Sequence, residues 1–129
     1  MDFGPFTIRH EFIFYQTDLS FAFTNLSPAL EGHCLVSPKR RVQYFSQLSK
    51  DEKIDLIKTG SFIAEVLSRN LGKSGFSLTV QDGPVAGQTV SHVHMHIIPR
   101  DFPTQWKPLK NISDDIRTKT TAKYRGFFI

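Results

Sequence analysis

The sequence predicts a mixed fold in which several short strands form a sheet that one long helix covers. Apolar and polar residues alternate in several short stretches, of which residues 76–80 are the clearest, and this alternation is typical of half-buried strands. Apolar residues also recur at helical spacing from Ile54 to Leu71. A capping box precedes this repeat, with Ser49 as the N-cap and Glu52 three residues later. The long helix is therefore expected to begin at Ser49.

The N-terminal part of the chain is typical of strands joined by turns. Residues 6–15 predict two short strands that meet near residues 9–11. Residues 19–25 alternate in the same way and predict another strand. Residues 32–38 predict a loop that enters a short strand, which Pro38 stops because proline cannot donate to a sheet.

Strand signals return after the long helix, which Gly72 is well placed to end in the left-handed conformation. Residues 76–80 predict a strand, and residues 81–89 predict a tight loop because they contain glycines and a proline. Residues 92–98 alternate again and predict a strand that Pro99 terminates.

The C-terminal part predicts a loop followed by a second, shorter helix. The loop contains Pro103 and Pro108, and Ser113 is the expected start of a helix that covers residues 116–124. Residues 126–129 are too apolar for a free tail, so they are expected to pack on the domain or on a partner subunit.

Composition bounds the class of protein. The length of 129 residues fits a single domain over residues 1–129. The net charge is +4, and no basic run is longer than residues 39–41, so a nucleic-acid-binding arm is not indicated. Cys34 is the one cysteine, which excludes a disulfide framework and predicts a small packing residue. Because neither a signal peptide nor an apolar run of about 18 residues is present, a cytoplasmic or nuclear protein is expected.

Three of the five histidines stand at alternate positions in residues 92–96. On a strand, alternate side chains share one face, so these imidazoles are expected to form a row with roughly 7 Å between neighbours. Three interpretations are open: a structural strand, a zinc site, and catalysis in which a neutral imidazole is the nucleophile. The preceding loop could bind an anion through its backbone amides, with Gln81 and Gln88 as further donors. His33, beside a glycine, is by itself more typical of a structural residue.

A resemblance favours the catalytic interpretation. Gln-Asp-Gly-Pro at 81–84, Ala-Gly-Gln-Thr-Val at 86–90, His-Val-His-Met-His at 92–96 and Pro-Arg at 99–100 resemble the signature of the histidine triad superfamily. More narrowly, they resemble its fragile histidine triad branch of dinucleoside polyphosphate hydrolases. The likeness covers most of residues 3–100 and resumes at residues 101–103 and Trp106. In animal members of that branch a polar loop separates the Pro-Arg pair from Asp-Phe-Pro, whereas here Asp101 follows Arg100 directly.

The resemblance implies an α+β fold in which an antiparallel sheet of about five strands is covered by the long helix and extended across a homodimer. It also implies a hydrolase that cleaves dinucleoside polyphosphates, foremost diadenosine triphosphate, into a nucleoside monophosphate and diphosphate through a covalent nucleotidyl-histidine intermediate. A nucleotide substrate and a second copy of the chain are the implied partners, with neither a membrane nor a nucleic acid. No cofactor is required, although a divalent cation bound to the polyphosphate could assist.

The resemblance further assigns roles to individual residues. His94 would be the nucleophile, His96 would bind phosphate and assist the leaving group, and His92 and His33 would orient that pair. The residues implied in substrate binding are Asn25 at the ribose, Phe3 as a wall against the base, and Gln81, Gln88 and Thr89 at the phosphates or the second nucleotide. Three alternatives stay open: a purine nucleoside phosphoramidase or aminoacyl-adenylate hydrolase, a nucleotide-binding signalling module with slow turnover, and a zinc-binding structural domain.

Overall fold

A computed structural model of the chain describes residues 1–103 and 110–129, which form seven β-strands and two α-helices. The strands are β1 (Asp2–Phe3), β2 (Phe6–Thr7), β3 (Ile13–Gln16), β4 (Ser20–Thr24), β5 (Cys34–Pro38), β6 (Gly75–Val80) and β7 (Met95–Arg100), and the helices are α1 (Lys50–Asn70) and α2 (Asp114–Gly126). The part of the predicted loop that holds Trp106 and Pro108 lies outside the described residues.

Within the described part of the chain, five strands form one antiparallel sheet in the order β3-β4-β5-β7-β6. Successive side chains of its central strands point alternately into two apolar layers, one on each face of the sheet, as the two-residue period of a strand requires. Ala22 packs in the layer under α1, whereas Phe21 and Phe23 pack in a layer on the opposite face with Phe3 and Leu35. The predicted α+β fold is therefore confirmed, and α1 covers only one face of the sheet.

The long helix begins and ends where the sequence predicts. The hydroxyl of Ser49 accepts a hydrogen bond from the backbone N–H of Glu52 at 3.1 Å, and the Glu52 carboxylate accepts one from the N–H of Ser49 at 2.8 Å. Gly72 takes a φ of +69° just after the helix, which favours glycine because a side chain would be strained there.

The buried face of α1 differs from the predicted one. Its sheet-facing stripe includes Leu56, Ile63 and Leu67, which are fully buried. Ile54 and Ile57 are about half exposed, at 45% and 48%, because they lie roughly 200° and 100° around the helix from Leu56 at about 100° per residue. The apolar repeat was broader than one face, so spacing alone did not select the buried stripe.

The histidine strand is shorter at its start and longer at its end than the prediction. β7 begins only at Met95, so the predicted strand over residues 92–98 is wrong in its bounds, and His92 and His94 precede the strand. Pro99 does not terminate β7, since it pairs with Phe76 of β6. The hydrogen-bonded ladder between β5 and β7 ends at Ile97, so at Pro99 one side of β7 has no paired strand. Proline is tolerated there because its missing N–H interrupts no hydrogen bond on that side.

The two chain ends fold back onto the sheet. β1 and β2 form a short hairpin that the sequence did not predict as paired, and only β3 of the two strands predicted in residues 6–15 joins the main sheet. Helix α2 is confirmed, with the Ser113 hydroxyl accepting from the N–H of Ile116 at 3.2 Å. After α2, Phe128 packs on the domain in a stacked contact with Phe14, with ring centroids 5.8 Å apart.

Candidate active site

A cavity of about 420 Å³ lies on the sheet face away from α1. Leu35 and His96 are register partners across β5 and β7, and they alternate with Val36 and Met95, which belong to the apolar layer that includes residues of α1. This alternation turns Leu35 and His96 toward the cavity. The lining consists of Phe3, Phe6, Thr7, Ile8, Phe23, Asn25, Leu26, Leu35, Thr89, Val90, His94, His96 and Arg117.

His94 is held in one tautomer by its own backbone neighbourhood. Its Nδ1 lies 2.8 Å from the backbone oxygen of His92, and a carbonyl oxygen can only accept a hydrogen bond, so Nδ1 carries the proton. Nε2 of His94 therefore keeps its lone pair when the ring is neutral. The ring also meets Phe3 in an edge-to-face contact, with centroids 5.0 Å apart. The side chain is buried at 5% exposure and lines the cavity.

His96 is held in the opposite tautomer through His33. The backbone N–H of Ala29 donates to Nδ1 of His33 at 2.8 Å, so the proton of a neutral His33 lies on Nε2. That Nε2–H lies 3.0 Å from Nδ1 of His96 and donates to it. His96 must then carry its own proton on Nε2. The cavity thus receives a basic nitrogen from His94 and an N–H donor from His96, on rings whose centroids are 5.1 Å apart.

His92 supports this pair from behind and does not line the cavity. The backbone N–H of Gly4 donates to Nδ1 of His92 at 2.9 Å, which places the proton on Nε2, and Nε2 donates to the backbone oxygen of Pro38 at 2.8 Å. Both ring nitrogens are therefore occupied within the protein. The ring is fully buried, and its carbonyl oxygen is the group that orients His94.

Burial lowers the pKa of all four histidines. The pKa of His33 falls to about 4, mainly because the ring is removed from water and secondarily because Arg100 repels its cation. The pKa of His96 falls to about 3, through burial and then through His94 and His33. Burial also lowers the pKa of His92 and of His94. At pH 7 the four rings are neutral, which is the state in which an imidazole nitrogen can attack.

Asn25, Phe3 and Thr89 are the predicted substrate-binding residues that line the cavity. The carboxamide oxygen of Asn25 accepts from the N–H of Ser27 at 2.8 Å. Its nitrogen lies 3.1 Å from Nε2 of His33, and because both atoms are donors in the tautomer set by Ala29, this contact is proximity and not a hydrogen bond. Phe3 spans the wall between the histidines and the apolar end, with its ring centroid 5.1 Å from that of Phe23. These contacts leave a polar group and an aromatic wall along the cavity.

Gln81 and Gln88 are not among the lining residues in this conformation. The side-chain nitrogen of Gln88 donates to the backbone oxygen of Gln43 at 2.9 Å, and its buried side-chain oxygen has no hydrogen-bond partner among the described residues. A Cβ at Gly87 would lie 2.6 Å from the side-chain nitrogen of Gln81, so Gln81 packs directly on the loop backbone. Their contact with the phosphates or the second nucleotide therefore stays a prediction.

Arg117 is a lining residue that the sequence did not single out. It comes from α2, is 8% exposed, and holds the end of β4 through hydrogen bonds from Nη2 to the backbone oxygen of Thr24 at 2.7 Å and from Nε to its hydroxyl at 3.2 Å. Basic residues are common along the chain, and no local pattern distinguishes this one. Only the packing of α2 on the sheet brings it to the cavity.

The zinc interpretation finds no support in the geometry. Residues 1–103 and 110–129 contain no group of three or more His, Cys, Asp or Glu side chains arranged to hold a metal ion. Both ring nitrogens of His92 and the Nδ1 atoms of His33, His94 and His96 are instead engaged in the contacts described above. In the same described ranges, no helix combines the length and the apolar character that a membrane crossing requires.

A fold of one helix-covered antiparallel sheet with paired, buried histidines at a nucleotide-sized cavity is the architecture of a histidine triad protein. A sequence model of the HIT domain matches residues 8–103, and the chain belongs to this family. The predicted resemblance to the histidine triad superfamily is confirmed.

Curated relatives belong to the fragile histidine triad branch. A bis(5'-adenosyl)-triphosphatase of Dictyostelium discoideum is 49% identical over 98 residues, which cover 76% of this chain and 66% of that protein. A bifunctional bis(5'-adenosyl)-triphosphatase/adenylylsulfatase FHIT of Arabidopsis thaliana is 47% identical over 98 residues, which cover 76% of this chain and 54% of that protein. The matched segment thus spans between about half and two thirds of these relatives.

Solved structures agree with this placement. The crystal structure of the Caenorhabditis elegans NitFhit protein matches 98% of this chain and 30% of that chain, with a TM-score of 0.89 and 37% identity. The structure of Plasmodium falciparum diadenosine triphosphate hydrolase in complex with cyclomarin A matches 98% of this chain and 82% of that chain, with a TM-score of 0.88 and 30% identity. The similarity therefore extends beyond the histidine motif to nearly the whole fold.

Proposed function

We propose that the protein is a nucleotidyl hydrolase that cleaves dinucleoside polyphosphates, with diadenosine triphosphate as a substrate. One observation carries the proposal: His94 and His96 are fixed in opposite tautomers at one cavity. His94 offers Nε2 as a nucleophile, and His96 offers Nε2–H as a donor to phosphate oxygens. Relatives named as bis(5'-adenosyl)-triphosphatases support the choice of substrate.

In the first step, Nε2 of His94 attacks the α-phosphorus. A P–N bond forms as the P–O bond to the β-phosphate breaks, and the electron pair leaves on the oxygen of the nucleoside diphosphate. The Nε2–H of His96 stabilises the charge that develops on phosphate oxygens. The imidazolium that forms on His94 is stabilised by the carbonyl oxygen of His92, which already accepts its Nδ1–H.

In the second step, water attacks the same phosphorus and releases the nucleoside monophosphate. The P–N bond breaks, its electron pair returns to Nε2 of His94, and one proton of the water passes to solvent. The nucleoside would lie along the apolar wall of Phe3 and Leu35, with Asn25 near the ribose. This placement is supported by Phe3, whose ring contacts that of His94 on one side and that of Phe23 on the other.

The nucleophile is tested by trapping the intermediate. The wild-type protein, incubated with diadenosine triphosphate labelled at the α-phosphate and quenched in denaturant, is expected to carry label and to release AMP and ADP. His94→Asn should lose both label and turnover by at least about 1,000-fold, because a covalent route disappears. His10→Asn, at an exposed histidine that begins a short 3-10 helix, is the matched control and should keep both. Substantial turnover by His94→Asn would sink the assignment.

A homodimer is a second part of the proposal. β6 pairs only with β7 among the described strands, so one of its edges is open, and Phe76 and Leu78 on it are 39% and 36% exposed. An open strand edge with apolar side chains can pair with a second copy of itself, which would extend the sheet. Sedimentation at micromolar concentration should give a dimer that Leu78→Lys weakens. Ile57→Lys, at an exposed residue of α1, is the control and should leave the mass unchanged.

Three further expectations from the sequence stay predictions. Hydrolysis without an added cofactor is tested by assays with and without a chelator, in which a divalent cation would act through the polyphosphate. A cytoplasmic location is tested by cell fractionation. Independence from nucleic acid is tested by a filter-binding assay with RNA and DNA at physiological salt, where no retention is expected.

A further inference from the structure

Arg117 places a buried cation at one end of the cavity. It is the one lysine or arginine among the lining residues that the structure describes. Its guanidinium lies over the ring of Phe12, 4.0 Å from the centroid, and two of its donors are taken up by Thr24. Burial lowers the pKa of Arg117 to about 10, so the side chain remains charged at neutral pH. The position of the fork is therefore fixed by the protein before any ligand enters.

The sheet sets the distance between Arg117 and the histidines. Arg117 is anchored on Thr24 of β4, whereas His96 lies on β7, and β5 runs between these two strands. Two strand spacings of about 4.8 Å separate the anchors by roughly 10 Å. The anchor of Arg117 therefore lies two strands away from the histidine that is proposed to bind the reacting phosphate. This anchor, Thr24, follows Phe23 on β4, and with the phosphates at the histidines the apolar lining residues Phe23, Ile8 and Leu26 remain for a base.

We propose that Arg117 reads the base of the bound nucleotide and favours a 6-oxopurine, guanine, over adenine. Arginine has only donors, so the donors of Arg117 that are not used on Thr24 can pair only with acceptors of a bound ligand or of neighbouring groups. Guanine presents two adjacent acceptors, O6 and N7, which match an arginine fork, whereas adenine presents one acceptor beside an amino group that is itself a donor. Adenine would therefore leave one buried donor of Arg117 facing another donor.

This inference rests on the proposed function for its substrate and adds the base preference. Diadenosine triphosphate remains a substrate, and diguanosine triphosphate is the better one. A bidentate arginine contact discriminates between bases by roughly 5-fold to 100-fold, so kcat/KM for the guanosine compound is expected to exceed that for the adenosine compound by about 10-fold. The same preference should appear in the Kd values of GMP and AMP, which require no hydrolysis.

The experiment compares both ratios in the wild type and in matched variants. Arg117→Met keeps an apolar stem and removes the fork, and it should bring both guanosine-to-adenosine ratios close to one. Arg117→Lys keeps the charge but not the two-donor geometry, and its guanosine-to-adenosine ratios should lie between those of the wild type and those of Arg117→Met. Arg125→Met is the control, because Arg125 also anchors α2 on backbone oxygen, at Ile13, but does not line the cavity. It should keep the wild-type ratios.

The outcomes separate the inference from the proposed function. A purely structural role of Arg117 would weaken both nucleotides equally and leave the ratios unchanged in Arg117→Met, which would overturn the inference, as would a wild-type preference for adenosine. If Arg117→Met does not fold, Arg117→Lys decides by the same ratios. If the wild type hydrolyses neither dinucleotide, the proposed function fails, and the GMP-to-AMP ratio of Kd values still decides the base preference.

Discussion

The buried histidines link the stability of the fold to pH. Burial lowers the pKa of His33 to about 4 and that of His96 to about 3, whereas an unfolded histidine titrates near 6.5. Between these values the unfolded chain binds more protons than the folded chain. The stabilising contribution of neutral burial is therefore fully present above pH 6.5, and it is lost progressively as the pH falls from 6.5 toward the folded-state values.

The size of the loss follows from the same values. A pH of 5 lies about 1.5 units below the pKa of an unfolded histidine. At about 1.36 kcal/mol per unit, protonation stabilises the unfolded state by about 2 kcal/mol per histidine, and a ring that stays neutral in the folded state does not gain this. His33 and His96, at 2% and 7% exposure, should together lower the free energy of unfolding by about 4 kcal/mol between pH 7.5 and pH 5. This is a large share of the roughly 5–15 kcal/mol of an ordinary domain.

Urea unfolding followed by circular dichroism at pH 7.5, 6.5 and 5 measures this loss directly. His33→Gln removes one of the two groups and should shrink the difference between pH 7.5 and pH 5 by about 2 kcal/mol, even though it is less stable at pH 7.5. Ser113→Ala, which removes the cap of α2 but no titrating group, should lower stability equally at each pH. A wild type that is as stable at pH 5 as at pH 7.5 would refute the reasoning.

Three other predictions concern the frame of the site. Gly4→Ala should lower both the melting temperature and kcat/KM. Gly4 has a φ of +56°, an added Cβ would lie 2.9 Å from Val90, and the backbone N–H of Gly4 holds the His92 ring in place. Calorimetry and a hydrolysis assay check this prediction. Ser49→Ala should cost about 1 kcal/mol in urea unfolding and leave kcat/KM unchanged, because the cap lies outside the cavity. Cys34 should react with a thiol reagent only after unfolding, because it is fully buried and burial raises the pKa of its thiol; reactivity in the native state would contradict this.

Elements with a local cause were predictable from the sequence. Ser49 and Glu52 define the start of α1 through contacts only three residues apart, and Gly72 ends it through its own backbone conformation. The strand at residues 75–80 was predictable because alternation is also a local signal. In these cases the residues that decide the structure are neighbours in the sequence.

The site was predictable in composition but not in arrangement. Two of the three histidines of the motif, His94 and His96, line the cavity, whereas the motif predicted a uniform row of three on one strand. Long-range bonds from Gly4 and to Pro38 instead turn His92 away from the cavity, and Ala29 sets the tautomer of His96 through His33. No pattern within residues 92–96 encodes those partners, because they lie dozens of residues away in the chain.

Four of the residues that line the cavity come from the ends of the chain, outside the segment that matches the family, and the rest lie inside it with the histidines. Phe3 precedes residues 8–103, the part that matches the family, and Arg117 follows it, while His33, His94 and His96 all lie inside it. The proposed bond cleavage therefore depends on the central segment alone, whereas the proposed base preference depends also on residues from the terminal segments. Exchange of the terminal segments between family members should therefore change the proposed selectivity for the base and leave the proposed labelling of His94 intact.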